Sequence, residues 1–214
     1  MKPFERTSYR DYAYNYIKEK ILSAQYGLGE RINIAQISNE LELSNAPIRE
    51  AISLLESEGL VVTVPFSGTK VVDLTPEDML NNRIATTSLY LGCYSMCRAL
   101  GLQAELAANY ESALLAQMNL PNSAPPYTIA KVSIAVDQSF VETLKNKTAT
   151  AMSNVCLNQS HLEAYMDFNN QLKTKDSSIR EHMRILSAIK RDNYNDVEQC
   201  LLQHYQLDQA QLRK

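Results

Sequence analysis

The sequence predicts a mainly α protein in two parts: three short helices closed by a β-hairpin, then an all-α antiparallel helix bundle. Three observations predict this. Gly27, Gly29, Gly59 and Gly68 fall in the first third of the 214 residues, which leaves only Gly92 and Gly101 for the rest. β-Branched runs occur on either side of Pro65-Phe66-Ser67-Gly68, as a hairpin requires. From Thr75 to the end the patterning is helical and contains no convincing strand.

In chain order, Tyr9, Tyr12, Tyr16, Ile17 and Leu22 recur at roughly helical spacing, and the helix must stop before the turn Tyr26-Gly27-Leu28-Gly29. Asn33 can cap a second, short helix with Gln36 as a capping-box partner, and Ile34, Ile37 and Leu41 supply its inner face. Ser44 can cap a third helix, whose Ile48, Ile52 and Leu55 share a face and whose Pro47 sits harmlessly in the first turn. Gly59 ends it. Leu60 to Val64 and Thr69 to Val72 read as the two strands of the hairpin. Thr75-Pro76-Glu77-Asp78 then combines a capping hydroxyl, a first-turn proline and two acids at the positive end of the helix dipole. The domains are therefore 1–73 and 74–214. The second reads as a bundle of about six helices, interrupted at residues 119–126, 173–176 and 191–193.

Composition sets the class. A chain that is 45% hydrophobic and 21% charged can bury a core, which excludes disorder. No run approaches the roughly 18 apolar residues of a membrane helix, and residues 1–16 lack a signal-peptide apolar stretch, so a cytoplasmic protein with no membrane partner is expected. Cys93, Cys97, Cys156 and Cys200 form no CxxC pair and read as reduced thiols rather than a disulfide scaffold. The spacing of Cys93 and Cys97, one helical turn apart, fits buried core positions. The net charge of −3 gives no overall electrostatic case for nucleic acid, and residues 1–73 themselves carry eight basic against ten acidic residues. Any such partner must be argued from a motif.

The motif is there. Three short helices and a hairpin make a winged helix-turn-helix, whose third helix can enter a major groove. The run Ile34 to Leu60 contains Ser44-Asn45-Ala46-Pro47-Ile48-Arg49-Glu50-Ala51, followed eight residues later by Gly59-Leu60, and it closely resembles the GntR family of bacterial transcription regulators. With the first helix and Gly68, the resemblance covers nearly all of residues 9–73. It implies a DNA interface of Ser44, Asn45 and Arg49 on the recognition helix with Ser67, Gly68, Thr69 and Lys70 on the wing. Ser44 can donate to a phosphate, and Arg49 can fork onto guanine O6 and N7. Asn45 stands where the family usually carries arginine and suits adenine N6 and N7 instead. The wing offers only Lys70 where relatives often place two arginines, and Glu42 holds a turn position that relatives usually give to glycine.

Residues 180–189 (REHMRILSAI) and Cys200 to Tyr205 place His182 and His204 on successive helices, so an antiparallel hairpin can bring them together. This pairing resembles the carboxy-terminal effector (FCD) domain of the FadR subfamily. The resemblance implies that Asp137 joins the two histidines around a divalent cation such as Zn²⁺, with Val141 standing where metal-binding members carry a further histidine. Three protein ligands suffice for an open site. Without metal, the same side chains would line a polar cavity or a helix interface. His161 matches no motif. Thr86 takes the place of an arginine that often holds an effector carboxylate, which gives an expected effector pocket of Thr86, Tyr90, Asp137, Val141, His182 and His204.

These readings together predict a ligand-responsive transcription regulator, a repressor-type homodimer binding a palindromic operator in double-stranded DNA, with a small-molecule effector such as a carboxylate in the second domain. It is not expected to be an enzyme. A metal-dependent hydrolase built on Asp137, His182 and His204 and a non-DNA-binding interaction module are the rival readings.

Overall fold

The computed structural model describes residues 8–208; residues 1–7 and 209–214, the outer ends of the two expected domains and part of the 1–16 segment, lie outside the described residues. Nine α-helices and one two-stranded sheet appear among the described residues. They divide into two compact units, Met1–Leu74 and Thr75–Lys214.

The first unit is built from α1 (Tyr9–Leu22), α2 (Ile34–Leu41), α3 (Asn45–Ser57), β1 (Val61–Val64) and β2 (Gly68–Val71). Ser8 caps α1 by accepting from the Asp11 amide, and Asn33 caps α2 by accepting from the Gln36 amide. The Gln36 side chain does not complete a capping box; it donates to Glu40 instead. Ala13, Ile17 and Ile21 of α1 meet Ile37 of α2 and Ile48, Ala51, Ile52 and Leu55 of α3 in one buried core. The tyrosines of α1 stand outside it. Tyr14 donates to Glu58 and Tyr16 to Glu40, while Tyr9 and Tyr12 are exposed. Glu42, in the turn between α2 and α3, is left-handed (φ 54°, ψ 35°), a conformation without steric cost only for glycine.

The hairpin pairs Val61 with Val71 and Val64 with Gly68. It is fastened to the helices rather than free: Thr63 N–H donates to Glu56 of α3, and Ile32 N–H and Val71 N–H form backbone bonds with Thr69 and Glu30. Strand pleating turns Thr69 inward, where its hydroxyl lies 3.3 Å from that of Thr63.

The second unit comprises α4 (Pro76–Ala99), α5 (Gln103–Met118), α6 (Pro126–Glu142), α7 (Lys147–Asn169), α8 (Lys175–Lys190) and α9 (Tyr194–His204). Thr75 and Asp78 form a reciprocal capping box at the start of α4. Two breaks lie beyond the three read from the sequence. Gly101, at φ 73°, turns the chain between α4 and α5, and Lys145, at φ 49°, precedes the Asn146 cap of α7. The core is aromatic: Phe140 stacks on Tyr90 at 5.4 Å and meets Tyr110 edge-on at 5.6 Å. Cys93 and Cys97 are free and buried in this core, and burial pushes the Cys93 thiol up to about 11. No helix is long and apolar enough to cross a membrane among the described residues.

Candidate DNA interface and cation centre

The amino-terminal unit sorts α3 into two faces. Ile48, Ala51, Ile52 and Leu55 point into the core, which leaves Ser44, Asn45 and Arg49 exposed on the opposite side. Ser44 occupies the N-cap position but makes no side-chain cap bond, so its hydroxyl is not spent on the helix. Arg49 makes no side-chain hydrogen bond or ion pair among the described residues; Glu50 beside it does not hold it. The acids of this unit are partly consumed elsewhere: Lys18 pairs with Glu58 at 2.7 Å and Lys20 with Glu40 at 2.9 Å. These pairs take one base with each acid, so they leave the net charge of the unit unchanged while fixing Glu40 and Glu58 beside α1.

Of the four wing residues read from the sequence, Ser67 and Gly68 are exposed, Lys70 is half-buried and Thr69 is buried. A direct side-chain contact from Thr69 to DNA is therefore corrected: the pleat commits its hydroxyl to Thr63. Arg31, which the sequence reading did not single out, binds the Ser67 carbonyl through both Nε and Nη2 and fixes the wing turn.

In the second unit, Asp137 of α6, His182 of α8 and His204 of α9 converge. Each offers one donor atom, and these atoms lie within 4.8 Å of one another. The turn at Arg191–Asn193, capped by Asn193, folds α9 back along α8 and brings the two imidazoles to 4.9 Å between ring centres. Asp137 is fully buried, and its carboxylate accepts from Tyr110 at 3.2 Å, Tyr205 at 2.9 Å and His204 at 3.1 Å. Burial alone would raise its pKa, but the facing His204 and His182 draw it well below the ordinary carboxylate range.

Both histidines are oriented from behind. His182 Nδ1 lies 2.7 Å from Gln117 Oε1, and the amide nitrogen of Gln117 donates to Ser178. With Gln117 so oriented, Nδ1 of His182 carries the proton, and its Nε2 presents a lone pair toward Asp137 Oδ1 at 3.7 Å, too far for a hydrogen bond. That buried nitrogen has no hydrogen-bond partner. Burial lowers the His182 pKa, so the ring resists taking a second proton. His204 Nδ1 rests on Glu181 at 2.8 Å, itself held by Lys173 at 2.7 Å, while His204 Nε2 faces Asp137. Burial opposes charge on His204, yet Asp137 and Glu181 outweigh it and raise its pKa. Glu181 is likewise half-buried but drawn down to about 2 by His204 and Lys173.

An imidazole held at Nδ1 by an acceptor, with Nε2 aimed at a shared point, is how metal-ligating histidines are positioned. The orphaned Nε2 of His182 and the carboxylate between two imidazoles fit a divalent cation. Val141, buried and apolar one turn from Asp137, supplies no fourth ligand. A cavity of about 50 Å³ adjoins His204, lined by Arg83, Ser133, Ser160, Glu163, Asp167 and Lys173 among others.

The expected effector pocket divides accordingly. His204 lines this cavity; Asp137 and His182 lie behind it, and Thr86, Tyr90 and Val141 are buried in the helix packing. Thr86 and Tyr90 each bury a hydroxyl without a hydrogen-bond partner. Arg83, one turn before Thr86, is the arginine that reaches the cavity, where it pairs with Glu163 and Gln206. The signal that could have found it was the i, i+3 spacing, which puts both residues on one face of α4.

Residues 10–71 match the profile of bacterial regulatory proteins of the gntR family. The whole chain is similar to the uncharacterized HTH-type transcriptional regulator YdhC of Bacillus subtilis (strain 168), at 24% identity over 209 residues, 94% of this chain and 89% of that one. Residues 10–71 are thus a gntR-family regulatory domain.

Two solved structures share the fold of this chain across nearly its full length. One, from Rhodococcus sp. RHA1 and assigned as a GntR transcriptional regulator, gives a TM-score of 0.71 at 16% identity and covers 95% of this chain and 96% of its own. The other, E. coli McbR/YncC, gives 0.70 at 16% identity over 96% and 97%. The matched family domain ends before Asp137, His182 and His204, whose unit shares its fold with these regulators.

Proposed function

We propose that this chain is a GntR-type transcription regulator that binds a palindromic operator as a homodimer and responds to a small effector bound in its helical unit, as in the FadR subfamily. One observation carries the reading of DNA as partner: α3 holds Ser44, Asn45 and Arg49 on its solvent face, with Arg49 unpaired among the described residues and its opposite face locked into the core. Arg49 reads guanine, Asn45 favours adenine and Ser44 holds a phosphate. The wing adds Ser67, Gly68 and Lys70.

In the helical unit, Asp137, His182 and His204 hold a divalent cation such as Zn²⁺, which would supply an electrophilic anchor for an effector oxygen. The adjoining cavity, with Arg83 and Lys173 in its wall, supports a small carboxylate as effector class. Its binding shifts the population of DNA-competent dimers.

Selection from random duplexes at two salt concentrations tests the reading. Wild type enriches a palindrome; Arg49→Ala loses its guanine preference and about tenfold or more in affinity, as expected for a lost bidentate base contact. No enrichment by a folded wild-type dimer refutes the regulator reading and favours a protein partner.

A further inference from the structure

The wing tip carries an exposed aromatic residue, Phe66. Phe66 has a relative exposure of 109%, with no neighbour covering its ring. It also sits at φ 61°, in the left-handed region that disfavours a side chain bearing Cβ. A solvent-facing aromatic in an unfavourable backbone conformation contributes nothing to the packing of the hairpin.

The surrounding geometry holds it there firmly. Ser67 N–H donates to the Val64 carbonyl across the turn at 3.0 Å. Arg31 grips the Ser67 carbonyl with two guanidinium nitrogens, and Pro65, directly before Phe66, has its own φ fixed by its ring. The base of the hairpin is tied to the recognition helix through Thr63 and Glu56. The tip is therefore a rigid projection on the same body as Arg49. Its strands, four residues each, extend about 13 Å, enough to reach past a phosphate ridge from a helix seated in the major groove.

Charge at this wing is limited: Lys70, half-buried, is the one charged residue between Val61 and Val71, and the exposed Arg31 beside the turn has its guanidinium engaged by the Ser67 carbonyl. An exposed phenyl ring is instead the side-chain type that wedges between base steps in a minor groove, unstacks them and kinks the duplex.

Resting on the reading of the protein as an operator-binding regulator, we infer that Phe66 is a DNA wedge: it inserts at a base step in the minor groove flanking the sequence read by α3 and reads that step through its deformability. Flexible pyrimidine–purine steps are favoured there, at positions no polar side chain contacts.

The test uses the full-length dimer and the duplex enriched by wild type, with 2-aminopurine placed at the flanking step. Wild type bends the duplex in a circular-permutation mobility assay and raises the 2-aminopurine fluorescence. Phe66→Ala loses both and binds about tenfold more weakly, with an unchanged salt slope because no charge is removed. Phe66→Gly does the same while relieving the left-handed strain, so its thermal midpoint is no lower than that of wild type. Equal bending, fluorescence and flank preference in wild type and both variants overturns the wedge and leaves the regulator reading intact. A variant that loses its dimer rather than its bend overturns it in favour of a subunit contact. Failure of wild type to bind any duplex refutes the underlying reading itself.

Discussion

Replacing Gln117 with leucine tests whether the proposed cation centre is organised from behind the histidines. Gln117 is fully buried on α5, accepts from His182 and donates to Ser178. Leucine fills a similar volume but leaves the His182 Nδ1–H without an acceptor, while Ser178 keeps its bond to Ser133 at 3.0 Å. One orphaned buried donor costs roughly 1–3 kcal/mol. For a chain of this size that lowers the thermal midpoint by about 5 °C, from roughly 2–4 °C per kcal/mol. The tautomer is released at the same time, so Zn²⁺ affinity falls about 10–100-fold, or ~1.4–2.7 kcal/mol. Differential scanning calorimetry of the metal-free protein and isothermal titration with Zn²⁺ measure the two effects separately. Gln117→Glu retains the acceptor: it loses stability to a buried charge but keeps or strengthens zinc binding. Unchanged zinc affinity in Gln117→Leu, despite lost stability, refutes the positioning argument. Unchanged stability refutes the hydrogen bond itself.

Two further outcomes follow from local geometry. Glu42→Gly relieves the left-handed turn between α2 and α3 and raises stability by about 0.5–1 kcal/mol, less the added entropy of the unfolded glycine, as read from urea midpoints. Burial raises the Glu163 pKa against the opposing pull of Arg83, so the folded state holds its proton more tightly than the unfolded chain. Its contribution is therefore fully present below the unfolded pKa and lost as pH rises through the folded one. The stability difference between wild type and Glu163→Gln grows as pH falls across that window, and a difference that shrinks instead would contradict the assignment.

The amino-terminal unit was the more legible half because its determinants are local. Asn33 and Ser44 mark helix starts, Gly59 marks a stop, and Ile48, Ile52 and Leu55 give a face whose opposite side must carry Arg49 into solvent. Strand alternation was written in the sequence too, yet the inward turn of Thr69 needed the observed register with Val61 to Val64. In the helical unit the sequence hid two breaks, because Gly101 is a single glycine and Lys145 takes its left-handed turn without one.

The Asp137, His182 and His204 cluster shows the division most sharply. The sequence by itself determined that Asp137, His182 and His204 lie on separate helices and that a short turn can join the last two. It could not determine that Gln117 and Glu181 hold the imidazoles, that Tyr110 and Tyr205 share Asp137, or that Arg83 rather than Thr86 reaches the cavity. Helix positions and caps are fixed by neighbours within a few residues. Contacts separated by as many as 68 positions, such as Tyr205 with Asp137, exist only once α5, α6, α8 and α9 pack around the same buried charge. Only the folded chain decides which polar atoms are left there to satisfy one another.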